Sequence, residues 1–458
     1  MSTNKLNVVI LAAGKGTRMY SDKPKVLHQL AGRPLLGHVI ACAEALSPSK
    51  IIVVYGFGGE AVPQAFAGKH IIWANQAQQH GTGHAVMQAA PHLDDDATCL
   101  ILLGDVPLIK PATCEKLVTK SQQGLALLTV NKPDPTGYGR IVRTGNGEVS
   151  AIIEHKDASA AQHIINEVNS GMMAMPNRWL KKWLGALSNN NSQSEYYLTD
   201  VVAMAVQDKV AVTAEISQDE WEVAGVNSKL DLAAVERVYQ QDVAKRLLQA
   251  GVSLADPNRI DVRGNLQVGR DVEIDVGCIF EGNVTLGNGI KVSAYCVIRD
   301  ASIGDGTLIA PFSHMDSVKV GNDCIIGPYA RLRPGTELAQ DVHIGNFVEI
   351  KNSQVNVSSK VNHLSYVGDS TVGKYVNIGA GTITCNYDGA NKHRTVIGDN
   401  VFVGSDSQLV APVTIGEGAT IGAGSTITRD VPAGELAVSR GRQTTIKGWK
   451  RPVKKSGG

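Results

Sequence analysis

The sequence predicts two folds in one chain: an N-terminal doubly wound α/β domain with a Rossmann-like sheet, and a C-terminal left-handed parallel β-helix of hexapeptide repeats. Three observations predict this arrangement. Apolar runs of strand length alternate with other segments up to residue 227. A single helical stripe follows, and beyond it aliphatic residues recur every six positions. We expect domains at residues 1–227 and 252–458, with a helical linker at 228–251.

Composition excludes several classes of partner. The chain has 44 basic and 43 acidic residues, a balance that predicts no nucleic-acid partner and no attraction to a membrane surface. No apolar run approaches the length of a membrane span, so we expect no membrane insertion. The 7 cysteines are scattered without a Cys-x-x-Cys pair and are interpreted as reduced core residues. Together these features predict a cytoplasmic protein.

The first strand leads into a glycine-rich loop, which reads LAAGKGTRM at residues 11–19. Such a loop lets backbone N–H groups approach a triphosphate while Lys15 and Arg18 neutralise its charge. Lys25 brings another cation to the same region. The order of residues is neither that of a Walker loop nor that of the dinucleotide fingerprint. For Gly14-x-Gly16 taken by itself, an ordinary tight turn is the alternative.

Polar residues follow the next predicted strands. Asp105 comes just after the strand Cys99–Leu103, where doubly wound sheets bind ligands, and a carboxylate there suits Mg²⁺ bridging substrate phosphates. A turn or cap aspartate is the alternative. Gln76 and the bare backbone around Gly81 can recognise a base edge. We expect the neighbouring His80 and His84 to be solvent-exposed or cap residues rather than metal ligands.

A long amphipathic helix is predicted from Ser228 to Ala250, with Ser228 as a possible cap and Gly251 as the stop. At 1.5 Å per residue it spans roughly 34 Å, enough to join two separate domains. Its apolar stripe consists of Leu232, Val235, Tyr239, Val243 and Leu247.

The hexapeptide repeat begins at Val262. One run continues to Ile298, and further runs in phase follow from Ile303, from Val320 and from Ile397. This period predicts a parallel β-helix in which each aliphatic residue points into the core and three hexads close one coil. Because its faces and open ends need covering, we expect a homotrimer.

Within the repeat, Arg333 and Lys351 each follow a core residue and lie eighteen residues apart, which is one coil. The two cations should therefore stack roughly 4.8 Å apart on one face. Like charges at that spacing repel unless an anion lies between them, and a sugar phosphate is the natural candidate. A solvated pair of surface cations is the alternative. The insertion at residues 384–394 interrupts the period and should protrude as a loop over a site.

A combination of motifs resembles one family over essentially the whole chain. These motifs are the loop at 11–19, Pro24-Lys25, Gly104-Asp105, Glu154-His155-Lys156-Asp157 and the hexapeptide half. They closely resemble the bacterial bifunctional N-acetylglucosamine-1-phosphate uridyltransferases and glucosamine-1-phosphate acetyltransferases. The resemblance implies an enzyme of UDP-N-acetylglucosamine biosynthesis, which feeds peptidoglycan and lipopolysaccharide synthesis, with Mg²⁺ as cofactor and UTP and acetyl-CoA as substrates.

For the N-terminal half, the resemblance implies that Arg18 and Lys25 are catalytic and that Asp105 and Asn227 hold Mg²⁺. The residues implied in binding UTP and N-acetylglucosamine 1-phosphate are Leu11, Ala12, Ala13, Gly14, Lys25, Gln76, Gly81, Thr82, Leu103, Gly104, Asp105, Gly139, Glu154, Asn169 and Asn227.

For the C-terminal half, the resemblance implies that His363 is the general base. One departure stands beside it, because the usual Ala-Gly before this histidine is Val361-Asn362 here. The residues implied in binding glucosamine 1-phosphate are Arg333, Lys351, Tyr366 and Asn377. Those implied in binding acetyl-CoA are Ala380, Asn386, Tyr387, Ser405, Ala423 and Arg440.

Three alternatives remain open. The first is a monofunctional sugar-1-phosphate nucleotidyltransferase whose β-helix is structural or regulatory. The second is a trimeric, non-catalytic β-helix scaffold, which leaves the glycine-rich loop unexplained. The third is a zinc hydratase-like β-helix, for which His314, His343, His363 and His393 are available, although metal ligands must also converge in space.

Overall fold

A computed structural model describes residues 5–452 of the chain. It divides into two compact units, Met1–Asp242 and Val243–Gly458, and the division falls inside a long helix. Among the described residues, every helix is too short or too polar to cross a membrane.

The N-terminal unit is built on a mixed sheet with strand order β11-β7-β10-β6-β1-β4-β5, extended by the pair β8 and β9. Its strands are β1 Leu6–Leu11, β4 Lys50–Tyr55, β5 Ile72–Asn75, β6 Thr98–Leu103, β7 Gly124–Asn131, β8 Arg140–Arg143, β9 Val149–Ile153, β10 Glu167–Pro176 and β11 Ala211–Ser217, beside a small hairpin of β2 Gln29–Leu30 and β3 Arg33–Pro34. Strand β1 is parallel to β4 and β6, whereas β10 runs antiparallel to β6 and β7.

Helices cover both faces of this sheet, and a separate apolar core lies on each face. The helices are α1 Leu35–Ala45, α2 Ala61–Ala65, α3 Thr82–Ala89, α4 Pro111–Lys120, α5 Ala160–His163, α6 Asn177–Leu184 and α7 Asp200–Gln207. The strands expected around Leu6–Leu11, Ile51–Tyr55 and Cys99–Leu103 are confirmed. Because β1, β4 and β6 are parallel, the segments after their carboxyl ends meet at one edge of the sheet.

The predicted long helix is α8, Lys229–Gln249. Ser228 caps it: its hydroxyl accepts from the Asp231 N–H at 3.2 Å, and the Asp231 carboxylate accepts from the Ser228 N–H at 2.8 Å. This reciprocal pair is a capping box with aspartate in place of glutamate. Val235 on the predicted stripe packs against Met19 and neighbouring core residues of the N-terminal unit.

The C-terminal unit is a parallel β-helix. Its face A strands are β12 Ser253–Leu254, β14 Glu273–Ile274, β16 Lys291–Val292, β19 Leu308–Ile309, β22 Ile325–Ile326, β25 His343–Asn346, β28 Lys360–His363, β31 Asn377–Ile378, β34 Phe402–Val403, β37 Thr420–Ile421 and β39 Leu436–Ala437. Face B contains β17 Val297–Arg299, β20 His314–Asp316, β23 Arg331–Leu332, β26 Glu349–Lys351, β29 Tyr366–Gly368, β32 Ile383–Cys385, β35 Gln408–Val410 and β38 Thr426–Ile427.

Face C contains β18 Ser302–Ile303, β21 Lys319–Val320, β24 Glu337–Leu338, β27 Gln354–Val355, β30 Ser370–Val372, β33 Thr395–Ile397 and β36 Val413–Ile415. The longer strands β13 Ile260–Val268 and β15 Cys278–Leu286 run across faces B and C. The aliphatic residues of the predicted hexads are buried, apart from the half-buried Val268. The hexad pattern therefore predicted the core of this unit residue by residue.

The cysteines also lie as predicted, since those at 42, 99, 114, 278, 296 and 324 are buried free thiols. Cys385 is partly buried.

Candidate active sites

A cleft of about 340 Å³ opens at the carboxyl edge of the N-terminal sheet. It brings together residues predicted from separate segments of the sequence: Leu11, Ala12, Ala13, Gly14, Lys25, Gln76, Gly81, Thr82, Leu103 and Asp105. Val26, Gln79, Ala85 and Glu195 complete its lining.

Backbone geometry explains the glycine at one wall of this cleft. Gly81 precedes α3 with φ of 101°, and a Cβ there would lie 2.7 Å from the Tyr196 carbonyl oxygen. A side chain is thus excluded on steric grounds as well as by conformation. Thr82 begins the helix, and the Gly83 N–H in its first turn donates to the Tyr196 carbonyl at 2.8 Å, which holds the segment around Tyr196 against this wall.

Gln76 is 3% exposed, and its amide Nε2 hydrogen-bonds the Gly81 carbonyl and His84 Nδ1, each at 3.1 Å. His84 is half-buried, so the expectation that it is a solvent-exposed or cap residue is corrected. The unpredicted Gln79 donates from its amide to the Ala13 carbonyl at 3.0 Å and so ties the glycine-rich loop to this wall.

Lys25 connects the residues expected to hold Mg²⁺. Its ammonium donates to the Asp105 carboxylate and, at 3.1 Å, to the Asn227 amide oxygen. The Val226 N–H donates to the Asp105 carbonyl at 2.9 Å and holds the two segments together. A carboxylate oxygen and an amide oxygen thus already converge on one cationic group, and oxygen is the ligand atom that Mg²⁺ prefers. The residues present fit this ion.

Arg18, which the resemblance implies is catalytic, lies on the exposed 3₁₀ turn Thr17–Met19 and outside the lining of the cleft. Lys15 of the same loop stands over the Phe57 ring at 5.8 Å. Of the cations expected here, Lys25 is therefore the one that lies within the cleft as described.

Gly139, Glu154 and Asn169 meet beside the cleft. The Asn169 N–H donates to the Gly139 carbonyl at 2.9 Å, and a Cβ at Gly139 would lie 3.5 Å from the Glu154 carboxylate. Glu154 accepts from the Thr199 hydroxyl at 3.0 Å. Burial raises the pKa of Glu154, and this outweighs the Thr199 hydrogen bond. Carboxylate and amide groups at this wall suit a sugar's hydroxyls and acetamide.

In the β-helix, Arg333 and Lys351 lie in adjacent coils at the corner between faces B and C, as the pairing of Leu332 with Ile350 requires. The predicted stack is confirmed, with two additions. Arg333 also pairs with Glu349 at 2.8 Å, so its charge is partly balanced within the protein. Lys392, from the predicted protruding loop, lies beside Lys351 and lowers the pKa of that ammonium.

Asp369 and Tyr366 complete this group. The Asp369 carboxylate is buried, but hydrogen bonds from Asn352 and Asn386 outweigh the burial, and its pKa is lowered. The Tyr366 hydroxyl lies 3.4 Å from the Asn386 amide. Its ring covers Gly368, where a Cβ would lie 2.3 Å from that hydroxyl oxygen. The site thus presents ammonium, guanidinium and hydroxyl donors together.

His363 ends β28, at the corner between faces A and B. Its Nδ1 lies 2.9 Å from the Asn346 amide oxygen in the preceding coil. Later coils place Ala380, Ser405 and Ala423 at the equivalent corner, because each lies two residues after the paired core positions. Arg440 donates to the Ala423 carbonyl at 2.7 Å. Predicted acetyl-CoA residues therefore form a column in line with His363.

Two family models match the chain. A MobA-like NTP transferase domain matches residues 8–184. The bacterial transferase hexapeptide model, of six repeats, matches residues 300–334, 317–352 and 394–429. These matches agree with the two folds.

Curated relatives match both halves at once. A bifunctional protein GlmU from Methylobacillus flagellatus is 66% identical over 451 residues, covering 98% of each chain. The chain belongs to the GlmU family. Bifunctional proteins GlmU from Thiobacillus denitrificans and Nitrosospira multiformis are 62% and 59% identical, covering 98% and 99% of this chain and the same shares of their own.

Membership of the GlmU family confirms the bifunctional interpretation. The chain is a uridyltransferase and acetyltransferase: it acetylates glucosamine 1-phosphate and transfers a uridyl group from UTP to N-acetylglucosamine 1-phosphate. It is neither a monofunctional nucleotidyltransferase nor a non-catalytic scaffold. Membership of this family also excludes the zinc hydratase-like alternative.

Some residues predicted for the GlmU acetyl-transfer site lie apart from the His363 column. Asn386 and Tyr387 follow β32, at the opposite edge of face B. Asn377 lies in β31 on face A, paired with Lys360 and Phe402. The departure at Val361-Asn362 leaves the coil intact, because Val361 fills the buried core position between Ile344 and Ile378.

Asp369 and Asn346 lie at these candidate sites and were not singled out in the sequence, whereas Lys392 falls within the insertion expected to cover a site. The position of Asn346 could have been found from the sequence. Asn346 lies two residues after the core residue Ile344, just as His363 lies two residues after Val361. Lys392 lies in a loop outside any period, so no spacing in the sequence marks its contact with Lys351.

Proposed function

We propose that the N-terminal cleft binds UTP with N-acetylglucosamine 1-phosphate beside it, and that the corners of face B bind glucosamine 1-phosphate and acetyl-CoA. The observation that supports this most directly is the cleft lining, in which residues from segments separated in sequence converge. The proposal assigns uridyl transfer to residues 1–227, acetyl transfer to 252–458 and a linker to 228–251.

For uridyl transfer, the phosphate oxygen of N-acetylglucosamine 1-phosphate attacks the α-phosphorus of UTP. The α–β phosphoanhydride bond breaks and pyrophosphate leaves with the bonding electrons. The nucleophile is already an anion, so the protein's task is to position it and balance charge. Gln76 and Gly81 hold the base, Glu154 and Asn169 hold the sugar, and Lys25 faces the phosphates.

Asp105 and Asn227 would hold Mg²⁺ in this proposal. When bound, the ion would neutralise charge on the phosphates. Lys25 shares the same two side chains, so it connects the metal ligands to the phosphate-binding loop. Arg18, on its exposed turn, is proposed to contact the triphosphate from outside the cleft.

For acetyl transfer, His363 Nε2 removes a proton from the ammonium form of glucosamine 1-phosphate, and the neutral nitrogen attacks the thioester carbonyl carbon. The nitrogen then loses a second proton to solvent as it becomes an amide. The carbon–sulfur bond then breaks, and the departing thiolate takes the proton that His363 carries. Arg333, Lys351 and Lys392 hold the phosphate of the sugar. The column from Ala380 to Ala423 lines the corner proposed to carry acetyl-CoA, with Arg440 at its end.

Lys392→Met tests the phosphate site. Two ammonium groups and a guanidinium converge there, so we expect that removing one raises the KM for glucosamine 1-phosphate about 10- to 100-fold, the value of one charge-assisted hydrogen bond. The kcat should change little, because Lys392 does not contact the reacting amine in this proposal. Thiol release from acetyl-CoA at varied sugar phosphate measures both constants.

Lys319→Met is the matched control for this experiment. Lys319 is an exposed lysine on face C, ion-paired with Glu337 at 3.1 Å, and its loss should leave both constants unchanged. An unchanged KM in Lys392→Met would contradict the proposal that the sugar phosphate binds at this corner.

A homotrimer is also proposed. Tyr295, Phe312, Tyr329 and Phe347 stack in successive coils with ring centroids 5.0 to 5.4 Å apart, and each is about half exposed. Such an apolar stripe is unusual on an uncovered surface. Light scattering at micromolar concentration should give about three times the 48.6 kDa chain mass. A monomer mass would contradict the trimer.

We place the protein in the cytoplasm. The buried thiols at residues 42, 99, 114, 278, 296 and 324 are free, and unpaired cysteines of this kind are typical of a reducing compartment.

A further inference from the structure

The backbone of face A changes at one place. Its described strands contain two residues each, except β25 and β28, which contain four. In these two strands the pairing continues past the core residues Ile344 and Val361 to a further pair, Asn346 with His363. The Leu364 N–H then donates to the Asn346 carbonyl at 3.1 Å. Sheet pairing therefore holds Asn346 directly beside the proposed base.

The side chains of Asn346 and His363 are also in contact. The Asn346 amide oxygen lies 2.9 Å from His363 Nδ1. An amide oxygen can accept a hydrogen bond but cannot donate one. The neutral ring therefore carries its hydrogen on Nδ1, and Nε2 keeps the lone pair that a base requires. His363 itself is exposed on the corner, so packing does little to hold its ring in one orientation.

We propose that Asn346 is a positioning residue for acetyl transfer, which sets the tautomer and the ring orientation of His363. This inference rests on the proposed role of His363 as general base. It assigns to Asn346 no contact with substrate. Its effect is to keep Nε2, rather than Nδ1, as the free nitrogen that receives the proton from the amine.

A neutral amide differs from a carboxylate at this position in a way that can be measured. A carboxylate would accept the same hydrogen bond and would also stabilise the protonated ring by its charge. The base would then become neutral at higher pH than in the parent enzyme. Asparagine thus orients the ring without making it harder to deprotonate.

The experiment compares Asn346→Leu, Asn346→Asp and His363→Ala in the full-length chain. In Asn346→Leu, we expect kcat for acetyl transfer to fall about 10- to 100-fold, a common cost of removing the partner that orients a functional histidine, with KM little changed. Asn346→Asp should restore most of kcat and move the acidic limb of the kcat/KM profile to higher pH. Pyrophosphate release in the uridyl-transfer assay should match the parent in both Asn346 variants, which shows that the loss is confined to acetyl transfer.

Asn283→Leu is the matched control, because it makes the same change of side chain elsewhere in the β-helix. Asn283 is exposed in β15 and remote in sequence from His363. Full acetyl-transfer kcat in Asn346→Leu, alongside a large loss in His363→Ala, would overturn the role of Asn346 and leave the base assignment standing. A purely structural role would also be revealed, because Asn346→Asp would then restore activity with an unmoved pH profile. Undiminished activity in His363→Ala would instead overturn the base assignment, and the role of Asn346 with it.

Discussion

His363→Ala is expected to lose acetyl transfer by about 10²–10⁴-fold, the usual contribution of general-base assistance, while keeping uridyl transfer. The amine of glucosamine 1-phosphate is mainly protonated near neutral pH, so a group must take its proton before nitrogen can attack the thioester. Histidine is the side chain that changes charge in this range. His363 lies at the head of the proposed acetyl-CoA column and beside face B, where Tyr366 begins the next strand.

Two assays on one preparation decide the matter: thiol release from acetyl-CoA and pyrophosphate release from UTP. His314→Ala serves as the matched control, because His314 lies on face B of the same β-helix, paired with Arg331, and has no proposed role. Parallel loss of both activities in His363→Ala would argue against separable sites. Full acetyl transfer would remove His363 as the base.

Asp105→Ala is expected to do the reverse, with uridyl transfer reduced by about 10²–10³-fold, the range seen when one preorganised electrostatic group is removed. Two effects combine in this variant. A proposed Mg²⁺ ligand is lost, and Lys25 loses the carboxylate that holds its ammonium in the cleft. Pyrophosphate release should be measured at saturating Mg²⁺, and acetyl transfer measured on the same preparation should be unchanged.

Asp96→Ala is the control for this variant. It makes the same change just before the opposite end of β6, where Asp96 is exposed and pairs with Lys5. Asp105→Asn separates the two effects, because it keeps an acceptor for Lys25 but removes the negative charge from the metal site. Activity close to the parent in Asp105→Ala would contradict both roles.

The sequence predicted the β-helix core closely because a period of six constrains each buried position independently of distant contacts. Ile344 and Ile350, for example, are both buried as expected. It also predicted the stacking of Arg333 on Lys351, since a coil of eighteen residues converts sequence distance into spatial register. The contact of Lys392 with Lys351 could not be predicted, because the loop that carries Lys392 has no period. That contact depends on how the loop folds back.

The N-terminal cleft shows what the sequence could not predict. Gly14, Gln76 and Asp105 could be singled out because each follows a strand or a turn with a recognisable pattern. Their convergence into one cleft, and the antiparallel β10 that brings Asn169 beside Gly139, are decided by the sheet order. Strand order depends on long-range pairing, which local sequence does not encode.

By itself, then, the sequence determined the two folds, the capped helix α8, the hexad core and, through its family motifs, the two reactions. The tertiary structure decided how charges and tautomers are arranged. Lys25 donates to both Asp105 and Asn227, Arg333 forms an ion pair with Glu349, and His363 hydrogen-bonds with Asn346. The physical reason is one of range. Periodicity and capping act between neighbours along the chain, whereas a hydrogen bond between side chains needs two segments placed within about 3 Å, which only the folded backbone provides.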